Sequence, residues 1–166
     1  EEEGGGRIFH EAEQFFDLMN YLVDCTPEVV YAQCIMNNNE SILKQYNFSV
    51  MIRYADGSIA NILYTGKGFN SYPRECFEVF SGGNVWVCND YKSLIKHGSH
   101  SYKNKLSSAN MGRKAQLEEF VIRLREGKYI PVIQSLMANI LSFACVKSLK
   151  ESVPVYIKDI LVDFNQ

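Results

Sequence analysis

The segment that decides the fold is residues 48–64, which reads FSVMIRYADGSIANILY. In residues 48–54, large apolar and aromatic side chains alternate with Ser, Met and Arg, and successive side chains of a strand point to opposite faces. A second β-rich run, residues 59–64, follows the dipeptide Asp56-Gly57, which is a strong turn signal. The segment therefore predicts an antiparallel hairpin with one apolar face.

Further helices and strands are predicted on both sides of this hairpin. Apolar residues at steps of three and four predict helices, and runs of β-branched and aromatic residues predict strands. The predicted elements are a helix over 8–23 ended by Thr26-Pro27, a strand over 29–36, a loop at Asn37–Asn39, strands over 76–80 and 85–88 around Gly82-Gly83, a helix over 112–126 capped by Asn110, a helix over 131–149 and a short strand over 153–157. This order predicts an α+β domain, with an open, mostly antiparallel β-sheet and helices packed on one face.

The two C-terminal helices carry recognisable boundary signals. Gly127 is a good stop for the first of them, because glycine readily takes the left-handed conformation that ends helices. Pro131 suits the first turn of the second, where its missing N–H is not needed. The first of these helices also has an apolar stripe, which consists of Leu117, Phe120, Val121 and Leu124.

Composition argues against several classes of protein. The chain has 166 residues, which fits one domain, and a net charge of -2 without a cluster of Lys and Arg. Binding to nucleic acid needs clustered positive charge, so we expect no nucleic-acid partner. The longest apolar stretch, residues 130–146, is interrupted by Pro, Gln, Ser and Asn, so it predicts a buried helix and no membrane span.

The cysteines indicate where the protein resides, and the first residues indicate whether the chain is a fragment. Five cysteines are present, and none has the spacing of a zinc site. We expect reduced, buried thiols, notably Cys34, Cys88 and Cys145, in a cytoplasmic protein that binds no metal. The chain starts Glu-Glu-Glu-Gly-Gly-Gly without a Met, so we expect a fragment or a processed product.

The predicted sheet has apolar residues on both faces. Helices that cover one face leave the other to be covered by a second copy, so a homo-oligomer through the open sheet face is expected. The alternative is that the same residues fill a single core. The residues concerned are Met51, Ile62, Tyr64, Phe77, Val79 and Trp86.

Residues 4–17, GGGRIFHEAEQFFD, resemble the active-site helix of the Gfo/Idh/MocA oxidoreductases. That family usually has a Gly-Gly-Gly start, an Asp four residues before a His, and another Asp three residues after the His. The resemblance extends over residues 4–157, and its order and spacing are more specific than any single motif. The other matching segments are Tyr54–Ala60, Tyr64 with Gly68, Pro73–Phe80, Gly82-Gly83 before Asn89-Asp90-Tyr91, and Asn110–Arg113.

The resemblance implies that residues 1–166 are the C-terminal substrate and oligomerisation domain of a two-domain enzyme. Its fold would be like that of the C-terminal domain of glyceraldehyde-3-phosphate dehydrogenase. Family members bind NAD or NADP in an N-terminal Rossmann domain and oxidise a hydroxyl of a sugar, inositol or sugar nucleotide. This chain has no Rossmann domain, since Gly4-Gly5-Gly6 lacks the preceding strand and the spacing of a dinucleotide loop. We therefore expect no cofactor in this chain and no activity from it alone.

The residues that match the family's active site are substituted. Gln14 takes the place of the catalytic His and His10 that of the Asp, while Glu11 matches a Glu that some sugar-nucleotide members carry. Glutamine cannot accept the proton of a substrate hydroxyl, because its amide does not titrate near neutral pH. His10 and Gln14 are four residues apart and share a helix face, so His10 is a candidate displaced base. Ordinary surface positions remain the alternative for all three.

Other residues are candidates for contacts with a substrate. Tyr64 and Lys67 are expected to line the cleft, although packing within the sheet is the alternative for Tyr64. Arg113, near a helix start, is a candidate contact for an anionic substrate or a solvated surface charge. His97 and His100 lie in a predicted polar loop and are expected to be exposed.

The substitutions leave two further functions open. One is a ligand-binding or oligomerisation module that is derived from this family and has lost catalysis. The other is an unrelated α+β ligand-binding domain, for which a different sheet topology is expected.

Overall fold

The computed structural model describes residues 6–35, 46–128 and 132–163. The predicted loop at Asn37–Asn39 and the predicted position of Pro131 lie outside these residues. The chain forms two compact units. The first is built from the described parts of residues 1–67 and 131–166, and the second from those of residues 68–130.

The first unit is a four-stranded antiparallel sheet with helices packed on one face. Its strands are hydrogen-bonded in the order β3-β2-β1-β8. The predicted first helix is confirmed, and its first turn is π-helical. The elements are a π-helix Ile8–Ala12 that continues into α1 (Glu13–Val23), β1 (Pro27–Cys34), β2 (Phe48–Tyr54), β3 (Ile59–Tyr64), α3 (Ile133–Glu151), β8 (Val155–Tyr156) and α4 (Ile157–Asp163).

The decisive hairpin has the predicted bounds and the predicted faces. Residues of β2 alternate strictly between buried and exposed, because the apolar set faces the helices and the polar set faces outward. The turn needs Gly57, whose φ of 88° lies in the left-handed region. Ser58 donates backbone and hydroxyl hydrogen bonds to Asp56, and these bonds hold the pKa of Asp56 below its usual range.

The core lies between the inner face of this sheet and the helices. Phe16 of α1, Ile52 of β2 and Leu141 of α3 are fully buried within it. Two serines of α3 are also fully buried. Ser148 accepts a hydrogen bond from the Ala32 backbone N–H at 2.9 Å and donates one to the Val153 carbonyl at 2.7 Å. Its hydroxyl therefore joins α3 to β1 where the short strand β8 does not reach.

The second unit is an antiparallel meander of four strands in the order β4-β5-β6-β7, followed by a helix. The predicted second hairpin is confirmed, but β6 and β7 were not predicted. The exposed His97 therefore ends a strand and does not lie in a loop, whereas the exposed His100 follows it. The elements are β4 (Cys76–Ser81), β5 (Asn84–Asn89), β6 (Ser93–His97), β7 (Tyr102–Lys105) and α2 (Arg113–Arg125).

The helix α2 departs from expectation at its start and in its burial. Asn110 does not cap it, because its side chain accepts a hydrogen bond from the N–H of Gly112, the residue before the helix. Gly127 has a φ of 62° and ends the helix region as predicted. The apolar stripe is present, but no residue of α2 is buried.

The α+β class is confirmed, whereas the expectation of a single sheet is wrong, since the described strands form two four-stranded sheets. The strand predicted over 29–36 starts earlier, at Pro27, and ends at Cys34. The strand predicted over 153–157 is limited to two residues, and Ile157 starts α4. None of the helices in the described ranges is long and apolar enough to cross a membrane.

In the first sheet, only some of the apolar residues that were expected on the open face lie there. Ile62 belongs to the core, with 8% exposure, and Tyr64 is half-buried against it. Met51 does lie on the outer face, where Ile59 and Leu63 are 60% and 76% exposed. In the second unit, Phe77, Val79 and Trp86 are half-buried.

Candidate functional site

The first helix carries the residues that match the family pattern, and they lie on two of its sides. One side faces α3 across a depression of about 230 Å³. His10 and Gln14 both line this depression, as expected for residues four apart. The other residues that line it are Glu13, Asp17, Ser135 and Ala138.

This depression combines one imidazole, one amide and two carboxylates. The amide of Asn139 in α3 donates a hydrogen bond of 2.8 Å to Glu13, so Glu13 is fixed against the neighbouring helix. His10 and Gln14 are both exposed. The arrangement can hydrogen-bond a hydroxyl through Gln14, and the imidazole of His10 is a candidate general base.

The other side of the helix faces the end of β3. Glu11 accepts a hydrogen bond from the Tyr64 hydroxyl and forms an ion pair with Arg7. The ring of Tyr64 stacks on Phe48, with ring centres 5.0 Å apart and an angle of 6° between their planes. Two residues nominated separately from the sequence, Glu11 and Tyr64, are therefore brought together by the fold.

A second depression, of about 330 Å³, opens beside this pair. Tyr64 and Lys67 both line it, as expected for a cleft. The other residues that line it are Arg7, Tyr46, Asn47 and Gly66.

Asn47 organises the chain that leaves β3 beside this depression. Its side-chain oxygen accepts hydrogen bonds from the Thr65 hydroxyl at 3.0 Å and from the Gly66 N–H at 3.1 Å. The Thr65 oxygen in turn accepts the N–H of Lys67 at 3.1 Å. The guanidinium of Arg7 lies 5.3 Å from the centre of the Tyr46 ring. Sequence reasoning missed Arg7, Tyr46 and Asn47, and the only local signal was the spacing of four between Arg7 and Glu11.

Arg113 belongs to the second unit and is exposed at the first position of α2. Its guanidinium lies 3.9 Å from the sulfur of Met111.

The cysteines offer no nucleophile in either depression. Cys145 is fully buried, and burial raises the pKa of its thiol to about 12, with the nearby Cys34 adding to the effect. Burial also raises the pKa of Cys88. Cys34 is only partly buried, contrary to expectation. Within the described ranges, no group of three or more His, Cys, Asp or Glu side chains could hold a metal ion.

No protein-family model matches the chain, and no curated protein matches it. Solved structures of dehydrogenases and oxidoreductases do match it. A probable dehydrogenase from Thermotoga maritima has a TM-score of 0.71 and 18% identity, with 95% of this chain and 51% of that chain covered.

Two further matches are structures solved with ligands bound. An oxidoreductase from Agrobacterium radiobacter in complex with NAD+, L-tartaric acid and magnesium has a TM-score of 0.75 and 13% identity. Levoglucosan dehydrogenase in complex with NADH and levoglucosan has a TM-score of 0.73 and 16% identity. Each match covers 92% of this chain and about half of the solved chain, namely 49% and 50%.

The chain therefore has the α+β fold of the C-terminal domains of Gfo/Idh/MocA-type dehydrogenases, and it spans about half the length of the solved structures it matches. The fold predicted from the sequence resemblance is confirmed. The alternative of an unrelated α+β topology is wrong.

Proposed function

We propose that the chain is the substrate-binding and assembly domain of an NAD(P)-dependent oxidoreductase that acts on a sugar-type hydroxyl, and that it is inactive alone. The observation that supports this most is the extent of the structural match. Almost the whole chain aligns with one half of each dehydrogenase, and one of these was solved with NADH and levoglucosan.

The proposal requires a nucleotide-binding domain that precedes this chain. That Rossmann domain would hold NAD or NADP, because the sequence of this chain has no dinucleotide loop. When bound, the nicotinamide accepts a hydride from the carbon that carries the hydroxyl. Five free cysteines are consistent with the cytoplasmic location we propose.

Within this chain, we assign the reacting hydroxyl to the depression lined by His10 and Gln14. The Gln14 amide can donate or accept a hydrogen bond at a hydroxyl, but it cannot take up the proton. His10 lines the same depression and is exposed, so its imidazole is the candidate that accepts this proton.

For assembly, we propose a homo-oligomer in which the outer face of the first sheet packs on a second copy. Met51, Ile59 and Leu63 are large apolar side chains that are 42%, 60% and 76% exposed on this face. Removing such side chains from water contributes roughly 25 cal/mol for each Å² buried. A contact between two copies of one face is the commonest oligomeric arrangement.

The decisive experiment measures NAD or NADP reduction by the full-length gene product against a panel of sugars, cyclitols and sugar nucleotides. We expect turnover by the full-length protein and none by residues 1–166. A gene without an upstream Rossmann domain would contradict the proposal. So would turnover by this chain alone.

A non-catalytic module derived from this family is the second candidate. It is favoured by the sequence resemblance, which implies that Gln14 and His10 stand at the positions of the family's proton-transfer pair. Full-length protein that binds a sugar but gives no cofactor reduction with any compound of the panel would favour this candidate. Measurable turnover would reject it.

A further inference from the structure

We infer that the depression lined by Arg7 and Lys67 binds the anionic group, a carboxylate or a phosphate, of a sugar ligand. The inference rests on the proposed function for the sugar character of the ligand. It adds the charge of that ligand and the residues that recognise the charge. The depression of about 330 Å³ lies at the lower end of the range for small-molecule sites, about 300–1,000 Å³.

Charge favours an anion in this depression. Arg7 and Lys67 contribute two positive charges, and Glu11 contributes one negative charge through its ion pair with Arg7. No carboxylate in the described ranges pairs with the Lys67 ammonium. A ligand carboxylate or phosphate can therefore take the Lys67 ammonium as a charge-assisted donor.

The depression lined by His10 has the opposite character. Glu13 and Asp17 both line it, so an anionic group there would meet two like charges. A negatively charged sugar is consequently directed by its charge to the Lys67 side of the helix. Its neutral hydroxyls suit the Gln14 side.

The aromatic lining of the depression also suits a sugar ring. Tyr46 and Tyr64 both line the depression, and each is held by a neighbour, Tyr46 beneath Arg7 and Tyr64 by Glu11. Aromatic side chains present large apolar surfaces with few rotatable bonds. The Gly66 N–H donates a hydrogen bond to Asn47 and the Lys67 N–H donates one to Thr65. These bonds fix the backbone that carries Lys67, so little ordering is needed when a ligand binds.

Gly66 provides a way to block the depression without disturbing the fold. It lines the depression, its φ is outside the left-handed region, and a Cβ built on it meets no atom within 4 Å. Gly68 has the same two backbone properties but does not line the depression. Gly66→Leu and Gly68→Leu are therefore a matched pair of variants.

The test is calorimetric titration of the chain with glucuronate, glucose phosphate, inorganic phosphate and glucose. We expect one or both of the sugar anions to bind more tightly than glucose and than inorganic phosphate, and the tighter anion identifies the ligand group as carboxylate or phosphate. Lys67→Met should weaken this binding about tenfold or more, since it removes a charge-assisted hydrogen bond. Gly66→Leu should abolish it. Gly68→Leu and Lys150→Met, which changes an exposed lysine of α3, should leave it unchanged.

Three outcomes would overturn the inference: equal affinity for glucose and glucuronate, inorganic phosphate binding as tightly as glucose phosphate, or wild-type affinity in Lys67→Met. Its failure is separable from that of the proposed function. Full-length protein that oxidises a sugar, but binds the sugar anions with wild-type affinity in Lys67→Met, would refute the anion site and support the oxidoreductase. Binding of sugar anions by a full-length protein that reduces no cofactor would support the anion site and refute the oxidoreductase.

Discussion

Ser148→Ala should destabilise the first unit more than any other removal of a single buried hydroxyl in α3. The Ser148 hydroxyl is fully buried and bridges the Ala32 N–H and the Val153 carbonyl, at 2.9 and 2.7 Å. These two backbone groups lie just beyond the end of the β1–β8 pairing, which includes only Val29 and Val30 of β1. The hydroxyl thus replaces the missing strand partner.

The expected change in the free energy of unfolding depends on which backbone group loses its hydrogen-bond partner. Ala32 is 1% exposed, so its N–H stays buried without an acceptor, at a cost of about 1–3 kcal/mol. Val153 is 44% exposed, so its carbonyl can bind water instead. Alanine is the better helix former by about 0.5 kcal/mol, which offsets part of the loss. The net expectation is a loss of about 1–2 kcal/mol in the free energy of unfolding.

Ser142→Ala is the matched control, because Ser142 is an equally buried serine of the same helix. Its hydroxyl donates only to the Ala138 carbonyl one turn earlier, at 3.2 Å, and such local bonds contribute little to helix stability. We expect its free energy of unfolding to change by less than about 0.5 kcal/mol.

The measurement is urea unfolding of both variants followed by circular dichroism, with hydrogen exchange of the Ala32 amide as a local probe. Ser148→Ala should shift the midpoint to lower urea without a change of slope, and the Ala32 amide should exchange faster. Equal stability of the two variants, with unchanged protection of the Ala32 amide, would refute the bridging role of Ser148.

Two further predictions concern assembly and catalysis. Leu63→Lys should turn an oligomer into a monomer in light scattering while the Tm stays the same, because Leu63 is 76% exposed on the outer sheet face and a lysine there opposes burial. A wild-type chain that is already monomeric at high concentration would contradict this. His10→Asn in the full-length protein should lower kcat by about 10²-fold or more, since it removes the imidazole that we assign as the proton acceptor. An unchanged kcat would count against the assignment of the hydroxyl to this depression.

A helix or strand could be predicted correctly when the sequence signal for it lies within the element itself. The hairpin over β2 and β3 was predicted to the residue, because alternation and the Asp56-Gly57 turn are both contained in the segment itself. Strands β6 and β7 were missed because residues 93–105 are rich in Lys, Ser and His and contain no run of the β-branched and aromatic residues that are typical of strands. They form strands by pairing with β5 and with each other, and a local pattern does not reveal such pairing.

The same distinction holds at the candidate site. Glu11 and Tyr64 could each be nominated from the sequence resemblance, but they are 53 residues apart in the chain, and only the packing of the first helix against β3 joins them. Asn47 had no local signal, because its contacts are with Thr65 and Gly66 of a later segment. Sequence patterns therefore nominated individual residues, and only the fold shows which of them lie together.

That grouping follows from the geometry of the first helix. Arg7 with Glu11 and His10 with Gln14 are both pairs four residues apart, so each pair forms a row along one side. Corresponding members of the two rows are three residues apart. This is less than the 3.6 residues of an α-helical turn, so the two rows lie on different sides of the helix. The π-helical turn Ile8–Ala12 increases the angle between the rows locally. One helix can therefore present the Arg7–Glu11 ion pair toward β3, beside Lys67, and a carboxylate-rich side toward α3. A ligand that carries both a charge and a neutral hydroxyl would meet different groups on the two sides, which is why Lys67→Met should change affinity and His10→Asn should change kcat.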